Sequence, residues 1–94
     1  MKKSELIIRL AERFPHIAKS DMEKIVNIII DKVIEALENN DRVEIRGFGS
    51  LFVKYRRARE ARNPKTGQRV MIEDKYVPFF KVGKELKELI NKNG

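Results

Sequence analysis

The stretch from Met22 to Leu37 is apolar around more than half of a helix. One stripe at helical spacing consists of Met22, Ile25, Val26, Ile29, Val33, Ala36 and Leu37, and it is widened by Ile28, Ile30 and Ile34. A helix with so broad an apolar surface has to be buried on more than one side. In a chain of 94 residues the natural second surface is another subunit. The pattern predicts an obligate dimer, and the alternative is a monomer core with several exposed isoleucines.

The first forty residues predict two helices. In the first, apolar residues recur at helical spacing as far as Phe14, with Ser4 as a candidate cap and Pro15 after the end. In the second, Ser20 and Glu23 fit a capping box, in which each side chain accepts a hydrogen bond from the other's backbone amide. That helix is expected to end at about residues 39–40.

After residue 41, the spacing of the apolar residues changes from a helical repeat to the two-residue repeat of a β-strand. Residues 42–46 and 51–56 alternate as half-buried strands do, and the glycines of Gly47-Phe48-Gly49 predict a tight turn between them. Strand character resumes at residues 70–77, and residues 83–90 predict a short amphipathic helix whose Leu86, Leu89 and Ile90 face inward. We therefore expect an α+β fold with an antiparallel sheet and a long β-hairpin. A single domain over 1–94 would comprise a helical dimerisation part (1–40), a sheet and arm (41–81) and a C-terminal helix (83–92).

Residues 54–69, KYRRAREARNPKTGQR, hold most of the net charge. They contain seven cationic residues and one acid, Glu60, a net charge of +6 out of +7 for the chain. Asn63-Pro64-Lys65-Thr66-Gly67 at the centre is a turn sequence ending in glycine. The outer half of the hairpin has little apolar surface to pack, so we expect the arm to be mobile until it binds. A basic arm on a nearly neutral body is typical of polyanion binding.

Other classes of function find little support in the sequence. There is no cysteine, so a thiolate metal site or a disulfide is excluded. The single histidine, His16, follows Pro15 in a predicted loop, and Gly47-x-Gly49 lacks the third glycine of a dinucleotide loop. We expect no enzyme activity, no cofactor, no metal and no small-molecule substrate. No apolar run exceeds three residues and no secretory signal follows Met1, so we expect a cytoplasmic protein that contacts no membrane.

Three segments resemble the HU/integration host factor family of bacterial histone-like DNA-bending proteins. They are VEIRGFGS at 43–50, RNPKTG at 62–67 and FKVGKEL at 80–86, and the resemblance extends from Lys3 to about Leu89. Residues 1–7, 44–46 and 75–78 are most similar to the beta subunit of integration host factor. The resemblance implies an intertwined dimer, a three-stranded antiparallel sheet with a protruding arm, and arms that wrap duplex DNA through the minor groove. It also implies association with the nucleoid and roles in recombination, replication and transcription.

The basic arm and the resemblance together predict which residues have a role. DNA contacts are assigned to Lys3, Glu44, Arg46, Lys54, Arg56, Arg57, Arg59, Arg62, Asn63, Pro64, Lys65, Thr66, Arg69, Lys75, Lys81 and Lys84. The dimer core is assigned to Ile25, Val26, Ile29, Val33, Leu37, Phe48 and Phe80. The resemblance makes Pro64 the wedge inserted between base pairs, and HU and integration host factor are themselves standard examples of such bending.

Several alternatives remain at this level. Pro64 can simply shape a turn, each body lysine can be a solvent-exposed charge, and Glu44 with Arg46 can form a surface ion pair. RNA would be attracted by the same charge, although only Tyr55 in the arm could stack on a base. The protein could pair with itself or with an alpha-type subunit. Departures from the family pattern occur at Phe52, Ala61, Phe79 and Val82.

Overall fold

The computed structural model describes residues 1–92, in two compact units that divide after Glu35. Its helices are α1 (Lys3–Arg13), α2 (Lys19–Glu38) and α3 (Lys84–Asn91). Its strands are β1 (Val43–Ile45), β2 (Gly49–Arg56), β3 (Arg59–Arg62), β4 (Arg69–Ile72) and β5 (Lys75–Val82). This order of elements confirms the predicted α+β fold.

The first unit contains α1 and most of α2. Its buried apolar side chains are Ile7, Met22 and Val26, each 5% exposed or less. Lys3 Nζ on α1 donates a hydrogen bond of 2.9 Å to Asn27 Oδ1 on α2. Much of the remaining apolar surface of α2 is exposed in the single chain, including the side chains of Ile25, Ile28, Ile29, Ile30 and Ile34.

The helix starts differ from the predicted caps. Lys2 rather than Ser4 caps α1, and its carbonyl accepts the Leu6 amide at 3.0 Å. α2 begins at Lys19, where the Ala18 carbonyl accepts the amides of Asp21 and Met22, both at 3.0 Å. Ser20 therefore lies inside the helix, and both the Ser4 cap and the capping box are wrong.

The end of α2 was predicted correctly and has an identifiable cause. Asn40 adopts a left-handed conformation with φ 56°. The Asp41 amide then donates to the Ala36 carbonyl at 2.8 Å, and the Asn40 amide donates to Leu37 at 3.1 Å. This pair of bonds is a Schellman motif, which satisfies the last helical carbonyls and turns the chain toward β1.

The main sheet is antiparallel with the strand order β1-β2-β5. Val43 pairs with Leu51, and the β2–β5 register runs from Gly49 opposite Val82 to Arg56 opposite Lys75. Gly49 is required by close packing, because a Cβ there would collide with the Lys81 carbonyl oxygen and the Phe80 ring. Since side chains alternate along a strand, residues 51, 53 and 55 share one face and residues 52, 54 and 56 the other, as predicted.

The arm is a separate two-stranded antiparallel sheet of β3 and β4. Arg59 pairs with Ile72 and Arg62 with Arg69. On each side of the hairpin, two residues lack a strand partner: Arg57-Ala58 on one side and Glu73-Asp74 on the other. The long hairpin is therefore confirmed, but it is divided into two sheets.

α3 follows Gly83, whose amide donates to the Phe48 carbonyl at 2.8 Å. Leu86 is half-buried, whereas Leu89 and Ile90 are 62% and 65% exposed. The expectation that all three side chains face inward is wrong for the single chain. No helix among residues 1–92 is long and apolar enough to cross a membrane.

Candidate nucleic-acid interface

The tip of the arm is a closed turn that presents Pro64 to solvent. The Asn63 amide donates to the Gln68 carbonyl, and the Gly67 amide donates to the Asn63 carbonyl, both at 2.8 Å. Asn63 Oδ1 also accepts the Lys65 amide at 2.9 Å, as asparagine often does in turns. Gly67 has φ 71°, a conformation that glycine adopts without strain. Asparagine and glycine thus account for the turn, and Pro64 lies exposed at its outer side.

The pairing of β3 with β4 places the arm residues on two faces. One face carries Arg59 with three apolar side chains, those of Ala61, Val70 and Ile72. The other carries Glu60, Arg62, Arg69 and Met71. Arg59 and Arg62, both predicted to contact DNA, are therefore on opposite faces of the arm.

Charge in the arm is barely neutralised within the chain. Arg69 Nη1 lies 3.6 Å from Glu60 Oε1, an exposed ion pair that contributes little stability. Arg62 and Arg69 stand directly opposite each other, which is unfavourable for like charges. The arm therefore presents cations that a polyanion can neutralise.

A cleft of about 500 Å³ lies where the main sheet meets the arm. Its lining combines four cationic side chains with one acid and consists of Arg56, Arg57, Arg59, Ile72, Glu73, Lys75 and Val77. At the same level, the Tyr55 hydroxyl donates to Asp74 Oδ2 at 2.8 Å. This bond to a carboxylate is the largest cause of a raised pKa of Tyr55, and desolvation and the neighbouring Tyr76 act in the same direction. The sequence did not indicate this bond, because it depends on the register of two strands.

The face of the main sheet that carries Phe52 also has a pattern of its own. Phe52 and Phe79 are directly paired, and their rings stack with centroids 6.0 Å apart and planes 13° apart. Arg42, Lys54 and Arg56 lie over these rings. The sequence left Phe52 and Phe79 without a role and did not single out Arg42.

Glu44 and Arg46 do not form the ion pair considered above. Glu44 Oε1 instead lies 2.8 Å from Arg42 Nε in an ion pair, and Arg46 lies in the turn after β1. Both residues line a second cleft of about 460 Å³, beside the turn and Gly83. They therefore share one local surface without contacting each other as a charge pair.

The remaining predicted DNA contacts lie on the two units separately. Lys3 is exposed on α1 and bonded to Asn27, as described above. Lys75 pairs with Arg56 and Lys81 with Ser50 on the main sheet, and Lys84 is the first residue of α3. All of these lysines are exposed.

The predicted dimer-core residues differ in burial within the single chain. Val26 is buried, and Val33 and Leu37 are half-buried. Ile25, Ile29, Phe48 and Phe80 are exposed, although the rings of Phe48 and Phe80 contact each other at 5.0 Å between centroids. The exposed members are the ones that a partner chain would cover. Residues 1–92 bring together no cluster of side chains suited to hold a metal ion.

Comparison with known proteins gives a consistent result over the length of the chain. The sequence model of a family described as bacterial DNA-binding protein matches residues 1–91. The HU protein of an Anabaena HU–DNA cocrystal is 35% identical, with a TM-score of 0.82 over 97% of this chain and 98% of that one. HU from Thermotoga maritima is 33% identical, with a TM-score of 0.67 over 97% of this chain and 100% of that one.

Proposed function

The chain belongs to the HU family of bacterial DNA-binding proteins, and we propose that it bends duplex DNA by gripping the minor groove with its arms. In this role it acts without catalysis, as an architectural protein of the nucleoid. Most of the affinity comes from neutralising backbone phosphates, and the bend comes from Pro64. Recombination, replication and transcription are the processes that such bending would assist.

The proposal is supported above all by the charge and the two-stranded structure of the basic hairpin. A net charge of +6 lies within residues 54–69, a segment that runs from the end of β2 through β3 and the turn to the first residue of β4. A two-stranded ribbon is narrow enough to enter a groove of DNA, and cations in a narrow minor groove meet its most negative potential. The match to an HU protein crystallised with DNA supports duplex DNA as the polyanion.

Pro64 is suited to act as the wedge. It is exposed at the outer side of a turn closed by bonds of Asn63 and Gly67, so its ring can be inserted without unfolding the arm. A proline ring carries no amide proton, so its insertion strands no backbone donor away from water. Unstacking a base step costs a few kcal/mol, which is offset when the bent duplex contacts more protein.

The other predicted contacts position the duplex. Within the basic segment 54–69, they are Lys54, Arg56, Arg57, Arg59, Arg62, Asn63, Lys65, Thr66 and Arg69. On the rest of the chain, they are Lys3, Glu44, Arg46, Lys75, Lys81 and Lys84. Phosphate contacts by the cationic members of this set fix the orientation of a protein on DNA without reading its sequence. The Glu44 carboxylate is repelled by phosphates, so its contact would be to the edge of a base. The exposed apolar face of α2 supports a dimer, formed with a second copy or with an alpha-type subunit as the resemblance to the integration host factor beta subunit implies.

The proposal is tested by energy transfer between dyes at the two ends of a short duplex, titrated with the purified chain alone. We expect transfer to increase at moderate salt, because a homodimer with two arms shortens the distance between the ends. Binding without increased transfer would contradict the bending role. No binding to duplex would contradict action as a homodimer, and restoration by an alpha-type subunit would establish the heterodimer.

Replacing Pro64 separates bending from binding. We expect Pro64→Ala to lose most of the transfer increase while its affinity falls less than roughly tenfold, because the phosphate contacts remain. Gln68→Ala, a change in the same turn at a residue outside the predicted contacts, is the matched control and should behave as wild type. A bend unchanged by Pro64→Ala would show that Pro64 only shapes the turn.

A further inference from the structure

The cations over Phe52 and Phe79 form a row along one face of the main sheet. The Arg42 guanidinium lies 5.0 Å from the centre of the Phe52 ring, and that of Arg56 lies 5.3 Å from the centre of Phe79. Lys54 Nζ lies between them, 5.8 Å from the Phe52 centre and 5.0 Å from the Phe79 centre. Cations within about 6 Å of a ring centre are attracted to the negative face of the ring. The stacked pair therefore holds three long side chains that would otherwise be free to rotate.

This row carries more positive charge than the chain neutralises. Arg42 has an acidic partner, Glu44, at 2.8 Å. Among residues 1–92, neither Lys54 nor Arg56 has an acid within ion-pair distance. Arg56 also stands directly opposite Lys75, an unfavourable pairing of like charges on neighbouring strands. Because these neighbouring cations repel one another, the row is complementary to an anion that carries several charges in sequence.

We propose that Phe52 and Phe79 are positioning residues, which hold Arg42, Lys54 and Arg56 as a phosphate-binding row for the backbone of a DNA duplex. The proposal rests on the proposed function and adds Arg42, together with the two rings, to the contacts that Lys54 and Arg56 make on the main sheet. Because a preorganised cation loses less side-chain freedom when it binds, the ring pair raises affinity without touching the DNA itself.

Phosphates fit this surface better than unpaired bases do. A base needs an open ring face for stacking, whereas cations already lie over both rings of the pair. The row continues into the cleft lined by Arg56, Arg57, Arg59 and Lys75 at the arm base. A backbone that follows the row would thus meet cations from the main sheet to the arm.

A set of four variants tests whether the rings act through the cations. Phe52→Leu/Phe79→Leu keeps apolar side chains but removes the aromatic faces, and Phe52→Tyr/Phe79→Tyr keeps those faces. Lys54→Gln/Arg56→Gln removes two charges, and a fourth variant combines the leucine and glutamine changes. Duplex affinity is measured by fluorescence anisotropy at several salt concentrations, with circular dichroism and light scattering to show that each variant is folded and associated as the wild type is.

We expect the leucine variant to bind duplex about three- to tenfold more weakly and the tyrosine variant to bind as wild type, because tyrosine preserves the cation–ring attraction. The glutamine variant should lower the slope of log K against log salt by about one unit for each lost phosphate contact. In the combined variant, the leucine changes should weaken binding much less than they do in the wild-type background, because Arg42 is then the one cation left for the rings to position. Lys32→Gln/Lys87→Gln, two exposed lysines outside the predicted contacts, is the control for a general loss of charge.

Several outcomes would overturn the inference. Leucine and glutamine effects that add in full would mean that the rings contact DNA independently of the cations. A leucine effect confined to a single-stranded oligonucleotide of the same length would mean that the rings stack on bases. If the wild-type chain binds duplex and the leucine variant binds it equally tightly, the rings have no positioning role, and the proposed function still stands. Absence of duplex binding by the wild-type chain would overturn both.

Discussion

The arginines of the arm have different surroundings, because the pairing of β3 with β4 places them on opposite faces of the arm. Arg59 shares its face with Ala61, Val70 and Ile72, whereas Arg62 stands opposite Arg69 on the other face. An arginine beside apolar side chains can lie against sugars within a groove, while a pair of opposed arginines is favoured only near phosphates. Strand periodicity alone would place Arg59 and Arg62 on opposite faces. It does not identify their partners, Ile72 and Arg69, which lie thirteen and seven residues further along the sequence.

Tyr55 allows a prediction about pH. Its hydroxyl donates to Asp74, which raises the pKa of Tyr55 above its ordinary value of 10.0. The bond stabilises the fold while the phenol is protonated, so its contribution is fully present below about pH 10 and is lost as the pH rises through the higher folded pKa. We expect Tyr55→Phe to be less stable than wild type at pH 8, and this difference to vanish in more alkaline solution.

The measurement is the urea midpoint of both proteins between pH 8 and pH 11. Tyr76→Phe is the matched control, because Tyr76 contacts the Tyr55 ring but its hydroxyl makes no hydrogen bond within residues 1–92. A stability difference between wild type and Tyr55→Phe that stays constant over this range would contradict the assigned cause.

At the scale of elements, the arm differs from the sheet that bears it. β3 and β4 pair only with each other, whereas β2 is hydrogen-bonded on both sides by β1 and β5. An isolated two-stranded ribbon is marginally stable in water. Arg57-Ala58 and Glu73-Asp74 also separate the ladder of the arm from that of the main sheet. We therefore expect the arm to open without unfolding the sheet.

Hydrogen exchange provides the corresponding prediction. In the free protein, we expect the paired amides of residues 59–62 and 69–72 to exchange much faster than those of β2, because local opening of the arm costs little free energy. Duplex DNA should slow exchange in the arm far more than in α1. Equal protection of the arm and β2 before DNA is added would contradict an independently opening arm.

The order of the helices and strands, and several of their ends, could be predicted from particular residues. The alternation of residues 51–56 predicted the two faces of β2, and Asn39-Asn40 predicted the end of α2, since asparagine tolerates the left-handed conformation found at Asn40. The start of α2 was missed, because a backbone carbonyl at Ala18 accepts the first amides without any side-chain signal. The stacked pair of Phe52 and Phe79 could not be predicted either, since it depends on which residues two distant strands bring opposite each other.

At the scale of the whole molecule, the exposed isoleucines of α2 determine the expected assembly. Ile28 and Ile29 are 58% and 59% exposed in the single chain. Burying apolar surface contributes roughly 25 cal/mol per Å², so a face of several such side chains favours association strongly. Residues buried inside the first unit, such as Val26, need no partner for their own burial.

Introducing a charge on this face tests the assembly. We expect Ile29→Asp to lose the dimer and, with it, tight DNA binding, because a carboxylate buried without a partner costs several kcal/mol. Light scattering at micromolar concentration measures the mass, and Lys24→Gln, an exposed position on the same helix, is the control. A wild-type chain that is itself a clean monomer would show the dimer prediction to be wrong.

The interruptions on either side of the arm also have an evolutionary consequence. Two residues separate β2 from β3, and two separate β4 from β5, so the hairpin is broken at the same level on both strands. Equal insertions or deletions in β3 and β4 would preserve the pairing beyond the break. Arm length and arm chemistry can thus diverge between lineages while the packing around Gly49 and Phe80 is inherited unchanged.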